Sequence, residues 1–126
     1  MQERDPRDVV SLEDKLRLVE RPWHPRILAE LNGQQVKVAR LEGRFDWHSH
    51  AGEDELFLVL EGRLAMHYRD RTDELGPGQL CVVPRGVEHC PEGLPSAGVL
   101  LFEPSSTLNT GDGEETERTV RDLDWI

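Results

Sequence analysis

The sequence has little cysteine and no long hydrophobic run, and both absences narrow the class of protein. Only two cysteines occur in 126 residues, Cys81 and Cys90, and they form no Cys-x-x-Cys pair, which leaves a zinc knuckle or thioredoxin-type site unsupported. The longest uncharged apolar stretch, Ala97 to Phe102, has six residues, whereas a bilayer span needs roughly 20. The N-terminus has no apolar region of a secretory signal, so we expect a cytoplasmic protein with reduced thiols.

Basic residues are outnumbered by acidic ones. Lys and Arg together number 15 against 25 Asp and Glu, which gives a net charge of −10. Half of this excess lies in residues 103–126, where seven acids and two arginines give −5. Because an acidic chain repels phosphate groups and anionic lipid headgroups, we expect neither nucleic-acid nor membrane binding.

The pattern from Arg26 onward is typical of short strands. Asn32-Gly33 is a strong signal for a two-residue hairpin turn, and turn residues recur every eight to twelve positions. This spacing predicts an all-β antiparallel sandwich or barrel. The candidate strands are Ile27–Leu31, Val36–Leu41, Phe45–His50, Glu55–Leu60, Leu64–Tyr68, Leu80–Pro84, Gly86–Cys90, Val99–Phe102 and Thr116–Val120.

The length of the chain predicts one domain with three parts. Residues 1–10 are charged and aperiodic, and we expect a loose N-terminal arm. Residues 11–108 hold a short leading helix, with Ser11 as its N-cap, followed by the strands of the barrel. Residues 109–126 form an acidic segment that we expect to pack on the barrel through its last apolar side chains.

Four residues have the spacing of a metal site. His48 and His50 are separated by one residue, so on a strand their rings point to the same face, about 6–7 Å apart at Cβ. Glu55 opens the next strand, and His89 follows the Pro84-Arg85-Gly86 turn on a segment that could cross the barrel. Three imidazoles and one carboxylate suit one divalent transition metal (Fe, Mn, Zn, Ni, Co or Cu) with open coordination positions.

These residues and the glycines around them resemble the two motifs of the cupin superfamily. The first motif is G(X)5HXH(X)3–4E(X)6G, and the second is G(X)5PXG(X)2H(X)3N. The matching residues are Gly43, His48, His50, Glu55 and Gly62 for the first motif, and Gly78, Pro84, Gly86, His89 and Gly93 for the second. The first gap has four residues instead of five, and Gly93 replaces an Asn; neither departure removes a ligand position.

The resemblance spans Gly43 to Gly93, about 40% of the chain. It implies a single-domain antiparallel β-barrel of jelly-roll type with a metal ion inside, held by His48, His50, Glu55 and His89. It also implies a homodimer. The stretch from Trp47 through Glu88, together with Asn109–Asp112 and the Trp125-Ile126 end, is similar to bacterial cupins described as mannose-6-phosphate-isomerase-like.

Two functions from different classes follow from this resemblance. The first is a metalloenzyme, an isomerase, dioxygenase or lyase acting on a small oxygen-bearing metabolite such as a sugar, keto acid or hydroxy acid. The alternative is a non-catalytic cupin that binds a small ligand or a metal, for example as a sensor. Because one fold hosts many functions, the resemblance alone does not choose between them.

Residues near the motif are assigned by the face of the strand on which they lie. Asp46 shares the face of His48 and His50, which makes its carboxylate the candidate catalytic base or orienting group. Phe57 and Val59 share the face of Glu55 and are expected to form an apolar wall. The candidates for binding an anionic substrate, which the sequence does not place, are Lys37, Arg63 and Arg85. His24 and His67 are expected to be exposed and without a role.

Overall fold

The computed structural model describes residues 4–113 and 115–126, which form one short helix and six strands. The helix begins after Ser11, whose side chain accepts a hydrogen bond from the Asp14 amide as the sequence predicts. The elements are α1 (Leu12–Arg17), β1 (Arg26–Leu31), β2 (Gln34–Arg44), β3 (Glu55–Tyr68), β4 (Thr72–Leu75), β5 (Leu80–Val83) and β6 (His89–Pro104).

The six strands form one antiparallel sheet. Its order is β1-β2-β6-β3-β4, and β5 pairs with the first residues of β3. Strands β3 and β6 are the longest, and the register between them shifts twice, at Val59/Glu61 and at Gly62/Leu64. Gly62 lies at this bend with φ +76°, and a Cβ there would lie against the Ser96 carbonyl oxygen. The prediction of an all-β antiparallel fold with a short N-terminal helix is confirmed.

Some predicted strands are joined or missing. Glu55–Leu60 and Leu64–Tyr68 belong to one strand, because Glu61-Gly62 forms a bulge rather than a turn. Val99–Phe102 is part of the much longer β6, which also takes in the end of Gly86–Cys90.

Two other predicted strands are wrong. Phe45–His50 has a single β-bridge, between His48 and His89, because the chain turns away at Ser49, whose carbonyl accepts the Asp112 amide. Thr116–Val120 has no strand partner among the described residues. Its Arg118 carbonyl and Val120 amide bond instead to the side-chain amide of Asn109.

Strand β2 separates two hydrophobic cores. The inner core fills the barrel and contains Ala39, Leu41, Phe57, Val59, Leu64, Met66, Leu75, Val83, Ala97, Val99 and Leu101. The outer core lies between α1 and the sheet and contains Leu16, Val19, Leu28, Val38 and Ile126. The C-terminus reaches the outer core because the Ile126 amide donates to the Ile27 carbonyl. Among the described residues, no helix is long and apolar enough to cross a membrane.

Candidate metal centre

The four predicted ligands come from two strand ends and one loop. Glu55 is the first residue of β3 and His89 the first of β6, while His48 and His50 lie in the loop between β2 and β3. Two backbone hydrogen bonds join His48 and His89, from His48 N to His89 O (3.0 Å) and from His89 N to His48 O (2.9 Å). The loop is therefore fixed to the start of β6, and the rings of His48 and His89 lie 4.2 Å apart between centroids.

The structure brings one ligand atom from each of these side chains together. The four atoms lie within 4.8 Å of one another, and all four residues are buried. Glu55 Oε1 lies 3.4 Å from His50 Nε2 and 3.4 Å from His89 Nε2. Two ligand atoms that share a metal at about 2.1 Å lie about 3.0–3.4 Å apart, so this spacing suits ligands of a common ion.

Backbone carbonyls orient two of the three imidazoles. The Nδ1–H of His48 donates to the Asp46 carbonyl and the Nδ1–H of His89 donates to the Val87 carbonyl, each at 3.0 Å. Because a carbonyl oxygen only accepts, the proton of each ring is on Nδ1 and Nε2 keeps a free lone pair. Such hydrogen bonds fix the tautomer that a metal needs.

The cluster contains buried polar atoms without partners. His50 Nε2, His89 Nε2 and Glu55 Oε1 have no hydrogen-bond partner among the described residues. A buried polar atom without a partner costs about 1–3 kcal/mol, and three side by side are unusual in a folded protein. A cation between them would satisfy all three, so the residues present fit a metal ion.

The charges in the cluster suit metal binding. Burial, together with the nearby His89, lowers the pKa of His48 to about 4, so this ring is neutral at pH 7. Burial alone would raise the pKa of Glu55, but the adjacent His50 and His89 lower it below its usual range. Burial likewise opposes the proton on His50, yet Glu55 and Glu53 raise the pKa of that ring. Metal binding must therefore release the proton of His50, after which a carboxylate beside neutral imidazoles is the state that binds a divalent ion.

A buried ion pair lies next to Glu55. Leu56 pairs with Phe102 across β3 and β6, which makes Glu103 the neighbour of Glu55 on the inner face. Glu103 Oε1 lies 3.6 Å from Lys37 Nζ, and both side chains are 3% exposed. Burial and the charge of Glu55 raise the pKa of Glu103. The sequence analysis left Lys37 unplaced and missed Glu103, although Glu103 alternates with Leu101, which was a usable signal.

These polar side chains line an interior cavity. The cavity has a volume of about 40 Å³, which holds an ion with a few water molecules. Phe57 forms part of its wall as predicted, whereas Val59 is buried farther along the inner core. Its lining includes Lys37, Phe45, His48, Glu55, Phe57, Leu101, Glu103 and Asn109.

The other candidate residues lie outside this cavity. The Asp46 side chain is 43% exposed and faces Arg118 at 3.8 Å, while its carbonyl orients His48. Arg63 pairs with Glu74, and Arg85 pairs with Asp54 at 3.2 Å, on the surface.

Two histidines and both cysteines are placed away from the cluster. The His67 side chain is 16% exposed rather than exposed as predicted, because Glu92 and Thr72 hold it at 2.7 and 2.9 Å. His24 is half-buried and also differs from its prediction. Burial raises the pKa of Cys90, whose thiol donates to the Phe45 carbonyl, so the neighbouring His89 does not activate it. Cys81 is likewise a free thiol.

The sequence matches a known family over most of the barrel. The family described as "Cupin domain" matches residues 34–101. An uncharacterized protein of Bacillus subtilis (strain 168), YdbB, is 38% identical over 63 residues, which are 49% of this chain and 56% of that protein. The chain thus spans little more than half the length of this curated relative.

Solved structures of bacterial proteins share the fold. A cupin-2 domain containing protein from Shewanella frigidimarina is 41% identical and superposes with a TM-score of 0.74, covering 76% of this chain and 94% of that chain. Protein NMB1881 from Neisseria meningitidis is 26% identical with a TM-score of 0.71, covering 77% of this chain and 99% of that chain. Both comparisons cover nearly the whole of the other protein, which indicates a small single-domain architecture.

Proposed function

Since the chain belongs to the cupin family, we propose that it holds one divalent transition metal at His48, His50, Glu55 and His89 and acts on a small oxygen-bearing metabolite there. The observation that carries the proposal is the convergence of buried ligand atoms without hydrogen-bond partners. Fe, Mn, Zn, Ni, Co and Cu all accept three imidazoles and a carboxylate. The narrower likeness to mannose-6-phosphate-isomerase-like cupins stays a prediction.

The chemistry divides between the ion and the residues around it. When bound, the ion would supply Lewis acidity toward a carbonyl or hydroxyl oxygen and, in the case of iron, redox chemistry with O2. The chain itself keeps His48 neutral and correctly oriented, and Phe57 and Leu101 give the cavity an apolar wall. Asp46 contributes its carbonyl as the acceptor for His48, while its carboxylate, the candidate base, faces Arg118 outside the cavity.

Lys37 favours an anionic group on the ligand, such as the carboxylate of a keto acid or hydroxy acid. Its ammonium group lines the cavity and is almost fully buried beside Glu103, and the raised pKa of Glu103 makes that carboxyl a weaker competitor for the ammonium than an ordinary carboxylate. We expect the nickel-loaded protein to bind pyruvate at least about tenfold tighter than the uncharged methyl ester, and the Lys37→Met variant to lose this preference. The Arg85→Met variant, altered at the surface, is the control and keeps it.

The small cavity also supports a second function. A volume of about 40 Å³ leaves little room beside an ion, which favours a non-catalytic cupin that binds a metal or a very small ligand, for example as a sensor. Incubation of the metal-loaded protein with sugars, keto acids and hydroxy acids separates the two functions. Product formation supports the enzyme, and saturable binding without product over hours supports the sensor.

The first experiment is the metal content of untagged protein from a host grown with mixed trace metals. We expect about one equivalent per chain in the wild type and in the His67→Ala variant, whose ring is outside the cluster. The His48→Ala variant should lose most of it. No metal in the wild type, and none taken up on titration, would contradict the proposal.

We also propose that the chain forms a homodimer through the outer face of its sheet. Leu80 and Val82 on β5 are 56% and 50% exposed. They pair with Leu58 and Leu56 of β3, which pair in turn with Leu100 and Phe102 of β6. A contiguous apolar face of this kind is typical of an interface. Light scattering should give twice the chain mass for the wild type and for Leu31→Glu on β1, and the chain mass for a Leu80→Glu, Val82→Glu variant.

A further inference from the structure

The three imidazoles of the cluster are held in two different ways. His48 and His89 each donate Nδ1–H to the carbonyl of the residue two positions earlier. For His50 that position is His48, whose carbonyl already accepts the His89 amide in the bridge between the loop and β6. His50 Nδ1 makes no corresponding bond to this carbonyl, so the ring lacks the contact that orients the other two.

The Nδ1 atom of His50 is buried and has no hydrogen-bond partner among the described residues. The ring is 2% exposed, and the carboxylate oxygen that faces Nδ1 is Glu53 Oε1, at 3.9 Å. Glu53 is itself mostly buried, with 16% of its side chain exposed, and its other oxygen, Oε2, accepts a hydrogen bond from Ser106 Oγ at 2.8 Å. Asp112 is also near, since one ligand atom each of His50, Glu53 and Asp112 lie within 4.8 Å of one another, but Asp112 Oδ2 accepts the Ala51 amide.

From this geometry we propose that Glu53 is the positioning residue of His50: its Oε1 accepts the Nδ1–H and aims Nε2 at the metal. The inference rests on the metal site of the proposed function. A movement of the Glu53 side chain by about 1 Å would shorten the distance between Glu53 Oε1 and His50 Nδ1 from 3.9 Å to hydrogen-bond distance. Ser106 holds the opposite oxygen and limits the rotation of the carboxylate.

A carboxylate acceptor does more for an imidazole than a carbonyl does. It fixes the tautomer and also makes the ring a stronger base, and loss of such a partner typically weakens metal binding 10–100-fold. Glu53 would thus make His50 the histidine that donates its Nε2 electron pair most strongly to the metal. This gives Glu53 a role that its sequence position, between the two motif residues His50 and Glu55, does not reveal.

The test compares cobalt binding in four proteins: the wild type, Glu53→Ala, Glu53→Gln and the control Glu74→Gln. Glu74 lies on β4 at the surface and pairs with Arg63. Competition with a chelator should give a cobalt affinity about 10–100-fold weaker for Glu53→Ala, a smaller loss for Glu53→Gln, which keeps an acceptor oxygen, and no change for Glu74→Gln.

Proton NMR of the cobalt-loaded protein gives a second measurement, which would not change if Glu53 only stabilised the fold. The wild type should show three paramagnetically shifted, exchangeable Nδ1–H resonances, one for each histidine. In Glu53→Ala only the resonance of His50 should exchange faster with solvent. Unchanged affinity together with an unchanged His50 resonance would overturn the inference.

Two further outcomes are informative. A second equivalent of cobalt, lost in both Glu53→Ala and Asp112→Asn, would overturn the inference because Nδ1 would then ligate an ion. If the wild type bound no cobalt, the proposed function would fail, and nitrogen chemical shifts of the metal-free protein would decide the inference alone. A His50 tautomer with Nδ1–H in the wild type, altered in Glu53→Ala, supports it; the same tautomer in both contradicts it.

Discussion

The two faces of β2 differ in what they bury. Toward α1, Val38 packs with Leu16, Val19, Leu28 and Ile126 in the outer core, and Arg40 on the same face donates to the Leu16 and Val19 carbonyls. Toward the barrel axis, Lys37 lies beside Glu103 and Glu55, in a cavity that adjoins the histidine cluster. Because side chains alternate along a strand, one residue step separates the two environments.

The difference indicates that stability and function are carried by separate regions. The outer core combines apolar packing with hydrogen bonds from Arg40 to the Leu16 and Val19 carbonyls, whereas the inner cavity contains imidazole and carboxylate atoms without partners. Polar atoms of this kind are tolerated only when the rest of the fold supplies enough stability. Changes on the two sides of β2 should therefore affect different properties.

The largest effect is expected for His50→Ala, which removes a proposed metal ligand on the inner side. We expect cobalt or zinc affinity to fall at least about a thousandfold, which corresponds to about 4 kcal/mol, because the remaining ligands no longer enclose the ion. The melting temperature of the metal-free protein should change little, because β packing carries the fold. Unfolding of the wild type when a chelator removes the metal would contradict this separation.

The reverse effect is expected for Leu28→Ala on the outer side. Leu28 is 1% exposed, and truncation of a buried leucine to alanine costs about 2–5 kcal/mol. Urea unfolding should show this loss, while the metal affinity of the folded variant stays that of the wild type. Leu31→Ala, on the same strand but 47% exposed, serves as the control and should cost far less.

A smaller effect should follow from Gly98→Ala, where α1 touches the sheet. A Cβ at Gly98 would lie against Leu16 Cδ2 and 3.0 Å from Glu61 Cγ, both of them in side chains that can move. We expect a loss of about 1–2 kcal/mol in unfolding free energy. In a Leu16→Ala background the added methyl has space, so the cost should largely disappear; an undiminished cost would place the strain elsewhere.

A last prediction concerns reactivity rather than stability or affinity, at the thiol of Cys81 on the edge of the inner core. Burial raises its pKa to about 11, against an ordinary value of 9.0. A raised pKa keeps the thiol protonated at pH 8, so alkylation by iodoacetamide should be about a hundredfold slower there than for an exposed cysteine. The rate should rise about tenfold per pH unit up to about pH 10. An alkylation rate that levels off near pH 9 would show that the Cys81 thiol is exposed to water.

The sequence predicted the four clustered residues because their spacing is local and repeats a known pattern. It did not reveal Glu103 as the neighbour of Glu55, because that proximity depends on the register between β3 and β6. Lys37 was a candidate, but only the structure shows that it lines the cavity. The role of Glu53 depends on a carbonyl that the bridge between His48 and His89 has already engaged.

The predicted strands failed where backbone groups found other partners. Glu61-Gly62 looks like a turn in the sequence, yet the two halves of β3 continue through it, because a bulge accommodates the extra residue. Phe45–His50 alternates like a strand, but Ser49 bonds to Asp112 in the acidic segment. Periodicity reports which residues are buried, and it does not report which partner satisfies the backbone.

The bridge between His48 and His89 has a consequence for redesign. It fixes the positions of two Cα atoms through main-chain atoms alone, so the geometry survives a change of either side chain. Substitution of aspartate or cysteine at these two positions should therefore reprogram the metal preference of the site without rebuilding the scaffold, since ligand softness selects among metals. A small barrel of this kind offers a rigid template on which a coordination sphere can be edited one residue at a time.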